Sequence, residues 1–465
     1  MPIVSTGVPA YASAGKASNA NDASYDDAWQ PGTTSGWLAY DLSGVPAAER
    51  AKAVVWWESD AYGYTIAALP GVCSGWEGGY PTAYTIDANA APGGSLPATG
   101  WATLENVTGN QYKSRQALLD LTGYNWIRLD ISSTANSSNN PDPDISINSF
   151  EVADAAQGVT DDWVFLGDSI TAGAMNHSAL TAPDGSTVLS FAGMVAAGTG
   201  GANHPIQENA GLPCVRADQA STFMSGDLLT MWPPGIYVAV TLGTNDAWGG
   251  DGTPSDYQAA LTSIVHQLLG AGDHPILASI PWPNTTAAWQ QNVEAMNAVI
   301  PAVIAANPGT LAGPDFYTFF EQQPSLITAG DVHPTSTGYA AMRRLWGSWA
   351  LNTVYGRPTS TSAPAPASAT PVASATARGT SSPAGVSRPA TSPSAVTGKS
   401  SSTSGASTAD AVPARPGPGQ TALLAAAAVA AAGVAIYMLL LALGVPVVRR
   451  AAPARWFRRR IPPPA

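Results

Sequence analysis

The hydrophobic rhythm of the chain changes near Asp161, and no single architecture accommodates what lies on both sides. Before that point, short runs alternate apolar and polar residues and are split by Gly, Pro, Asn and Asp: GWLAYDLS, AKAVVWWES, PTAYTIDAN, YNWIRLDIS and ISINSFEV. Period-two alternation at this spacing, with few helical stretches, predicts an antiparallel β-sandwich over residues 1–155. After it, apolar strands take turns with helical stretches: WVFLG leads to SFAGMVAAG, GIYVAVTLG to SDYQAALTSIVHQLLGAG, and HPILASI to AAWQQNVEAMNAVIPAVIAAN. That succession predicts a parallel sheet covered on both faces, an α/β/α domain over residues 156–356. A chain of 465 residues is long enough to hold two such cores.

The remainder of the chain has a different composition. Residues 357–420 are almost wholly Ser, Thr, Ala, Pro and Gly, with no Leu, Ile, Phe, Trp or Tyr to bury, so a disordered stalk is expected. Residues 421–448 follow as 28 positions without a charge. That exceeds the roughly 20 apolar residues that cross a bilayer. The arginines at 449, 450, 455, 458, 459 and 460 then predict a basic cytoplasmic tail over residues 449–465. The expected arrangement is a single-pass protein of the cell membrane with its folded part outside. Such a topology needs an export signal, and MPIVSTGVPAYASAG has neither a basic start nor an apolar core of the right length. The native start is therefore expected upstream, or the signal is expected to have been removed.

Charge and cysteine content narrow the chemistry. The net charge is −12 and no basic patch precedes the tail, so nucleic acid is not an expected partner. The five histidines are scattered, and the two cysteines, Cys73 and Cys214, lack metal-ligand spacing. No metal site and no cofactor are expected. The cysteines read equally as a disulfide or as two inert thiols. Seven tryptophans fall within residues 1–155 (Trp29, Trp37, Trp56, Trp57, Trp76, Trp101 and Trp126), enough to serve a core and also to offer an aromatic face to a sugar ring.

The stretches NDASYDDAW, GWLAYDLS, YTIDAN, NWIRLDIS and INSFEVAD, in that order, resemble the galactose-binding-like, discoidin-type (F5/8 type C) modules. Many members of that family bind carbohydrate in loops at one end of the sandwich. The resemblance thus implies a polysaccharide partner but transfers no individual contact residue.

Three polar motifs sit where the second half turns into a helix. GDSI occupies 167–170 after WVFLG, GTND occupies 243–246 after GIYVAVTLG, and His333-Pro334 precedes the final helical stretch GYAAMRRLWGSWALN. In open parallel sheets, reactive groups collect at the carboxyl ends of strands. A serine hydroxyl becomes a nucleophile when an imidazole takes its proton, and an oxyanion needs preorganised amide donors. In this order the motifs resemble the GDSL/SGNH hydrolases, whose fold is a flavodoxin-like α/β/α sandwich, over roughly residues 160–355. The resemblance implies Ser169 as nucleophile, His333 as base, and the Ser169 N–H with the Asn245 amide as oxyanion donors.

Two departures accompany it. The second oxyanion glycine falls in QENAGLPCVRAD, where Gly211 is the only glycine although the usual spacing after Asn209 lands on Cys214. Gly211 is the expected donor. The usual acid lies three residues before the histidine, where this chain has Gly330; Asp331, two before, is expected to take its place, since residues two apart in an extended segment face one side. A backbone carbonyl or Asp315 is the alternative. Asp168 and Asp246 are expected to set the turns. Trp248, just after GTND, reads either as a lining of the acyl or sugar pocket or as a packed aromatic. The expected function is hydrolysis of small acyl esters, acetyl foremost, on carbohydrate through an acyl-enzyme. A lipid-directed esterase or phospholipase and a non-enzymatic carbohydrate-binding surface protein are the alternatives.

Overall fold

The computed structural model describes residues 1–22, 27–59, 79–135, 144–176, 179–248 and 252–356, which lie in one compact unit. Cys73, Trp76 and His177, the stalk, the apolar run 421–448 and the basic tail lie outside the described residues. Among the described residues no helix is long and apolar enough to cross a membrane.

Among the described residues the first half contains eight strands: β1 (Ala10–Ala12), β2 (Gly36–Asp41), β3 (Lys52–Ser59), β4 (Pro81–Asn89), β5 (Ala102–Thr108), β6 (Ser114–Asp120), β7 (Trp126–Thr134) and β8 (Ile147–Asp154). They form two antiparallel sheets, ordered β1-β2-β7-β4-β5 and β6-β3-β8. The sequence pattern locates β2, β3, β4, β7 and β8 and passes over β1, β5 and β6. Each of these three is an edge strand. β8 is an edge strand too, so position alone does not hide them; β1 is only three residues long, β5 buries no residue fully, and the buried residues of β6 are the polar Ser114 and Gln116.

Leu38, Tyr40, Tyr84, Ile86, Ile127, Leu129 and Phe150 fill the space between the sheets. Of the seven tryptophans, Trp29, Trp56, Trp57 and Trp126 are buried, while Trp37 and Trp101 are half-buried. Consecutive residues of a strand point to opposite faces. Trp57 accordingly enters the sandwich core, whereas Trp56 faces away and packs with Val54, Ala153 and Ile206. The run VVWW does not alternate because its sheet is covered on both sides.

Ile206 belongs to the second half. Its strands are β9 (Asp162–Gly167), the short hairpin β10 (Leu180–Thr181) and β11 (Thr187–Val188), β12 (Ile206–Gly211), β13 (Tyr237–Thr241), β14 (His274–Leu277) and β15 (Leu311–Ala312). The main sheet is parallel and ordered β12-β9-β13-β14-β15. With the hairpin set aside this is the doubly wound 2-1-3-4-5 order, which places a topological switch point beside its first strand, here β9.

The helices used below, numbered along the chain after the single turn α1 (Ala47–Arg50), are α2 (Ser169–Ala174), α3 (Phe191–Gly198), α4 (Ala217–Met224), α5 (Thr244–Ala247), α6 (Pro254–Ala271), α7 (Ala287–Asn297), α8 (Ile300–Ala306), α9 (Phe316–Glu321) and α10 (Ser336–Thr353). The long apolar stretch from Ala287 breaks into α7 and α8 at Pro301, which sits in the first turn of α8 where its missing N–H costs nothing.

The two halves meet through β6, β3 and β8 on one side and β12 on the other. The Gln116 N–H donates to Met231 O (3.0 Å), and its Nε2 donates to Asp162 Oδ1 (3.1 Å) and Glu208 Oε2 (3.0 Å). Trp232 Nε1 donates to Glu208 Oε1 at 2.9 Å. Asp162 and Glu208 are wholly buried.

Candidate active site

Register brings three strand ends to one level. Gly211 of β12 pairs with Gly167 of β9, and Gly167 pairs with Thr241 of β13. The residues that follow β9 and β13 carry the polar groups.

After β9, Asp168 turns the chain. It is the N-cap of α2, and its Oδ1 accepts from the Ile170 N–H at 2.9 Å. Burial pushes its carboxyl up to about 6 against the donations from Ile170 and Thr244. Ser169 is the first residue of that helix and is partly exposed. The buried polar side chains of β12 secure the helix from below: Asn209 Nδ2 donates to Ala172 O and Gln207 Nε2 to Met175 O, both at 3.0 Å.

His333 arrives from a loop that precedes α10. That loop is held by Gly330 N–H donating to Asn284 O (2.8 Å) and Thr328 N–H donating to His333 O (3.0 Å). Ser169 Oγ lies 2.9 Å from His333 Nε2, and His333 Nδ1 lies 2.9 Å from Asp331 Oδ1. With its proton on Nδ1, the imidazole donates to Asp331 and accepts from the serine hydroxyl. Burial opposes the Asp331 charge, but bonds from the imidazole and from the Val332 N–H (2.6 Å) outweigh it and hold the carboxyl below its ordinary range. The His333 and Asp331 side chains are 40% and 39% exposed, so the arrangement opens to solvent. Asp315 is elsewhere: its Oδ1 caps α9 through the Thr318 N–H and accepts from Ser279 Oγ.

After β13, Gly243 adopts a φ of 120°, and a Cβ there would meet Ile280 Cδ1 at 2.4 Å, so glycine is required. Asn245 in α5 donates one amide proton to Val215 O at 2.9 Å. Asp246 does more than shape its own turn: both carboxylate oxygens accept from the Ala217 N–H at 3.1 Å, tying this turn to the start of α4. Burial raises its carboxyl to about 6.

Gly211 does not serve as expected. Its N–H donates to Asn209 Oδ1 at 3.1 Å, and its Cα faces the backbone of α2, where a Cβ would lie 2.3 Å from Ala172 N. The glycine is there for close packing under the serine's helix. In the following turn the Leu212 N–H goes to Gly167 O (2.8 Å), Val215 N–H to Leu212 O (3.1 Å), and Pro213 has none. Cys214 holds a positive φ of 65° and is disulfide-bonded rather than an inert thiol.

The family model of the GDSL-like lipase/acylhydrolases matches residues 165–341. That segment belongs to this family. It spans from β9 to the first turns of α10 and includes Ser169, Asn245, Asp331 and His333. The GDSL-like domain makes the chain a carboxylic ester hydrolase. No curated protein matches the chain. Among solved structures, the chain is similar to chitosan-binding module 1 from a chitosanase/glucanase of Paenibacillus sp. IK-5, at 18% identity over 33% of this chain and 98% of that one, with a TM-score of 0.23. It is also similar to protein YXIM_BACsu from Bacillus subtilis (13% identity, 75% and 89% covered, TM-score 0.37). A third is the acetylxylan esterase Axe2 from Geobacillus stearothermophilus (19% identity, 40% and 91% covered, TM-score 0.32).

Arg343 escaped the sequence motifs. It is fully buried in α10, and it donates from Nε to Ala174 O (2.8 Å) and from a terminal nitrogen to Asn176 Oδ1 (3.0 Å). It thus welds the end of the serine's helix to the helix that follows the histidine, and its cation meets the carbonyl end of α2. An arginine among the apolar residues of AAMRRLW is the only sequence signal for it.

Proposed function

We propose that the chain is a serine esterase that removes small acyl groups, acetyl foremost, from carbohydrate through an acyl-enzyme. One observation carries the mechanism: Ser169 Oγ, His333 and Asp331 form a continuous line of 2.9 Å contacts at the end of β9. Ser169 Oγ attacks the ester carbonyl as its proton passes to His333 Nε2. The carbonyl becomes an oxyanion, which the Ser169 N–H and the Asn245 amide stabilise. Because the Gly211 N–H is committed to Asn209, the spacing after Asn209 assigns the further donor of that loop to Cys214. The imidazolium returns its proton to the leaving sugar oxygen as the C–O bond breaks. Water then repeats the sequence on the acyl-serine, releasing the acid and the free hydroxyl. Asp331 keeps the imidazole in the tautomer this requires.

An open rim with a half-exposed acid and base suits an ester borne on a bulky polymer, and the β-sandwich is the proposed means of engaging that polymer. The apolar run 421–448 and its arginines support tethering at the outer face of a cell membrane.

The test uses the full-length chain. Ethyl acetate turnover should fall by about four orders of magnitude or more in Ser169→Ala, with an unchanged unfolding midpoint. A fluorophosphonate should label wild-type protein at Ser169. Retained turnover in the variant, or a label on another residue, would remove Ser169 from the mechanism.

A further inference from the structure

Among the described residues, Cys214 is the one residue other than glycine with a positive φ, 65°. A residue with a Cβ is disfavoured in that conformation, so something must hold it there. Cys214 is third in a tight turn from Leu212 to Val215, closed by the Val215 N–H donating to Leu212 O at 3.1 Å. Pro213 is second. Proline at the second place and a positive φ at the third describe a turn whose third residue is ordinarily glycine. By its spacing from Asn209, the glycine of the oxyanion loop would fall at the same position. A cysteine stands there instead, and it is disulfide-bonded.

The turn links the two segments proposed to hold the oxyanion. At its start the Leu212 N–H donates to Gly167 O at 2.8 Å, two residues before Ser169. At its end Val215 O accepts from Asn245 Nδ2 at 2.9 Å. The two amide protons of asparagine share one plane, so fixing one on Val215 O sets the direction of the other. The Val215 carbonyl thus aims the Asn245 donor, and the turn sets the carbonyl. Oxyanion donors work because they are preorganised. A loosened turn would therefore cost turnover without removing any reacting group. Cys214 is half-buried, not sealed in a core.

We infer that the disulfide of Cys214 positions the Asn245 oxyanion donor, and that its reduction by a dithiol lowers turnover. The covalent bond holds a backbone conformation that glycine would adopt freely. On reduction the S–S bond breaks, two electrons and two protons pass from the dithiol to the two cysteine sulfurs, and the dithiol closes into its own disulfide. Cys214 then keeps its Cβ but loses its tether, and the turn relaxes. This rests on the proposed acyl transfer at Ser169 and adds to it a dependence on a bond outside the Ser169–His333–Asp331 line.

The experiment takes two readouts on the full-length chain, with and without dithiothreitol. One is kcat and KM on ethyl acetate; the other is hydrogen exchange of the Leu212 and Val215 amides by mass spectrometry. Deleting an oxyanion donor costs about 10²–10³ in kcat, and reduction misplaces a donor instead of deleting it, so kcat should fall about tenfold at nearly constant KM. Reoxidation should restore it. The two amides should lose protection in step. Cys214→Ala keeps a Cβ without the bond and should match the reduced wild type whether or not dithiothreitol is present. Cys214→Gly accepts a positive φ without strain, so it should recover most of what Cys214→Ala loses and should ignore the reductant. A merely structural staple would leave both variants equally impaired, and that result would overturn the inference. An unchanged kcat in the reduced wild type would overturn it too, whether or not the amides lose protection. Oxidised wild type without Ser169-dependent turnover, but with amides that respond as expected, would sink the acyl-transfer reading and leave the tether standing.

Discussion

Strands β9 and β12 have two ends, and carboxylates stand at both, but they do opposite things. At the carboxyl end of the sheet, Asp331 is half-exposed, accepts from an imidazole and is held below its ordinary range. At the amino end, Asp162 is wholly buried, accepts from Gln116 of the sandwich, and is pushed well above its range by burial, with the nearby Glu208 and Asp161 charges adding to the shift. Residue type does not separate the two groups; solvent and partner do. A charged acid is useful where water and a cation can support it, whereas burial disfavours the charged form and leaves the group to serve as a hydrogen-bonding joint. One end of the sheet is therefore the one we propose to react, while the other joins two halves of a protein.

If that division is right, substitutions at the two ends should separate activity from stability. The largest effect belongs to Asp331→Asn. The amide keeps the size of the side chain but can present its N–H₂ to Nδ1 and favour the wrong tautomer. We expect kcat on ethyl acetate to fall by up to about four orders of magnitude, as in serine-protease triads, with thermal unfolding nearly unmoved because the group is exposed. A loss below tenfold would mean that a backbone group orients His333 and that the rim acid is ornamental.

Gln116→Leu should do the reverse. It removes the donor shared by Asp162 Oδ1 and Glu208 Oε2, leaving two buried acceptors poorly served. The expected cost is about 1–3 kcal/mol in urea unfolding, with kcat within about threefold of wild type. A collapse of activity at unchanged stability would break the comparison, since it would show the joint shaping the rim.

How much of each end was legible follows from chain distance. GDSI, GTND and His333-Pro334 are local signals, because a strand-to-helix turn must draw its cap and its reactive group from adjacent residues. The acid two residues before the histidine was legible for the same reason. Gly211 misled because glycine serves both as a donor's backbone and as a place for close approach, and only the Ala172 contact decides between them. The joint was not legible. Gln116 finds Asp162 and Glu208 from 46 and 92 residues away, and nothing in IQENAG signals that three consecutive polar residues are buried. Similarly, the sandwich was readable from its central strands, while β1, β5 and β6 carried too little alternation. The VVWW run did carry a signal: two adjacent tryptophans need two apolar faces, and the second face is the other domain.

The smallest effect is one of slope, and it tests the physical state of the joint. Asp162 binds its proton more tightly in the folded chain than in the unfolded one, where a carboxyl titrates near about 3.9. The stability tied to that proton is complete below the unfolded value and is lost as pH climbs toward and through the raised folded value. Asp168 and Asp246, at about 6, add slope of the same sign, so wild-type stability should decline between pH 5 and pH 8. Asp162→Asn keeps an oxygen for Gln116 but has no proton to lose. Its stability at pH 5 should lie within about 1 kcal/mol of wild type, the scale of one hydrogen bond, and its decline with pH should be shallower by at most about 1.4 kcal/mol per pH unit, the limit for one proton. Urea unfolding at intervals across that range reads both. An equal or steeper decline in the variant would place a charged Asp162 in the folded joint, and the contrast between the two ends of β9 would then rest on solvent exposure alone.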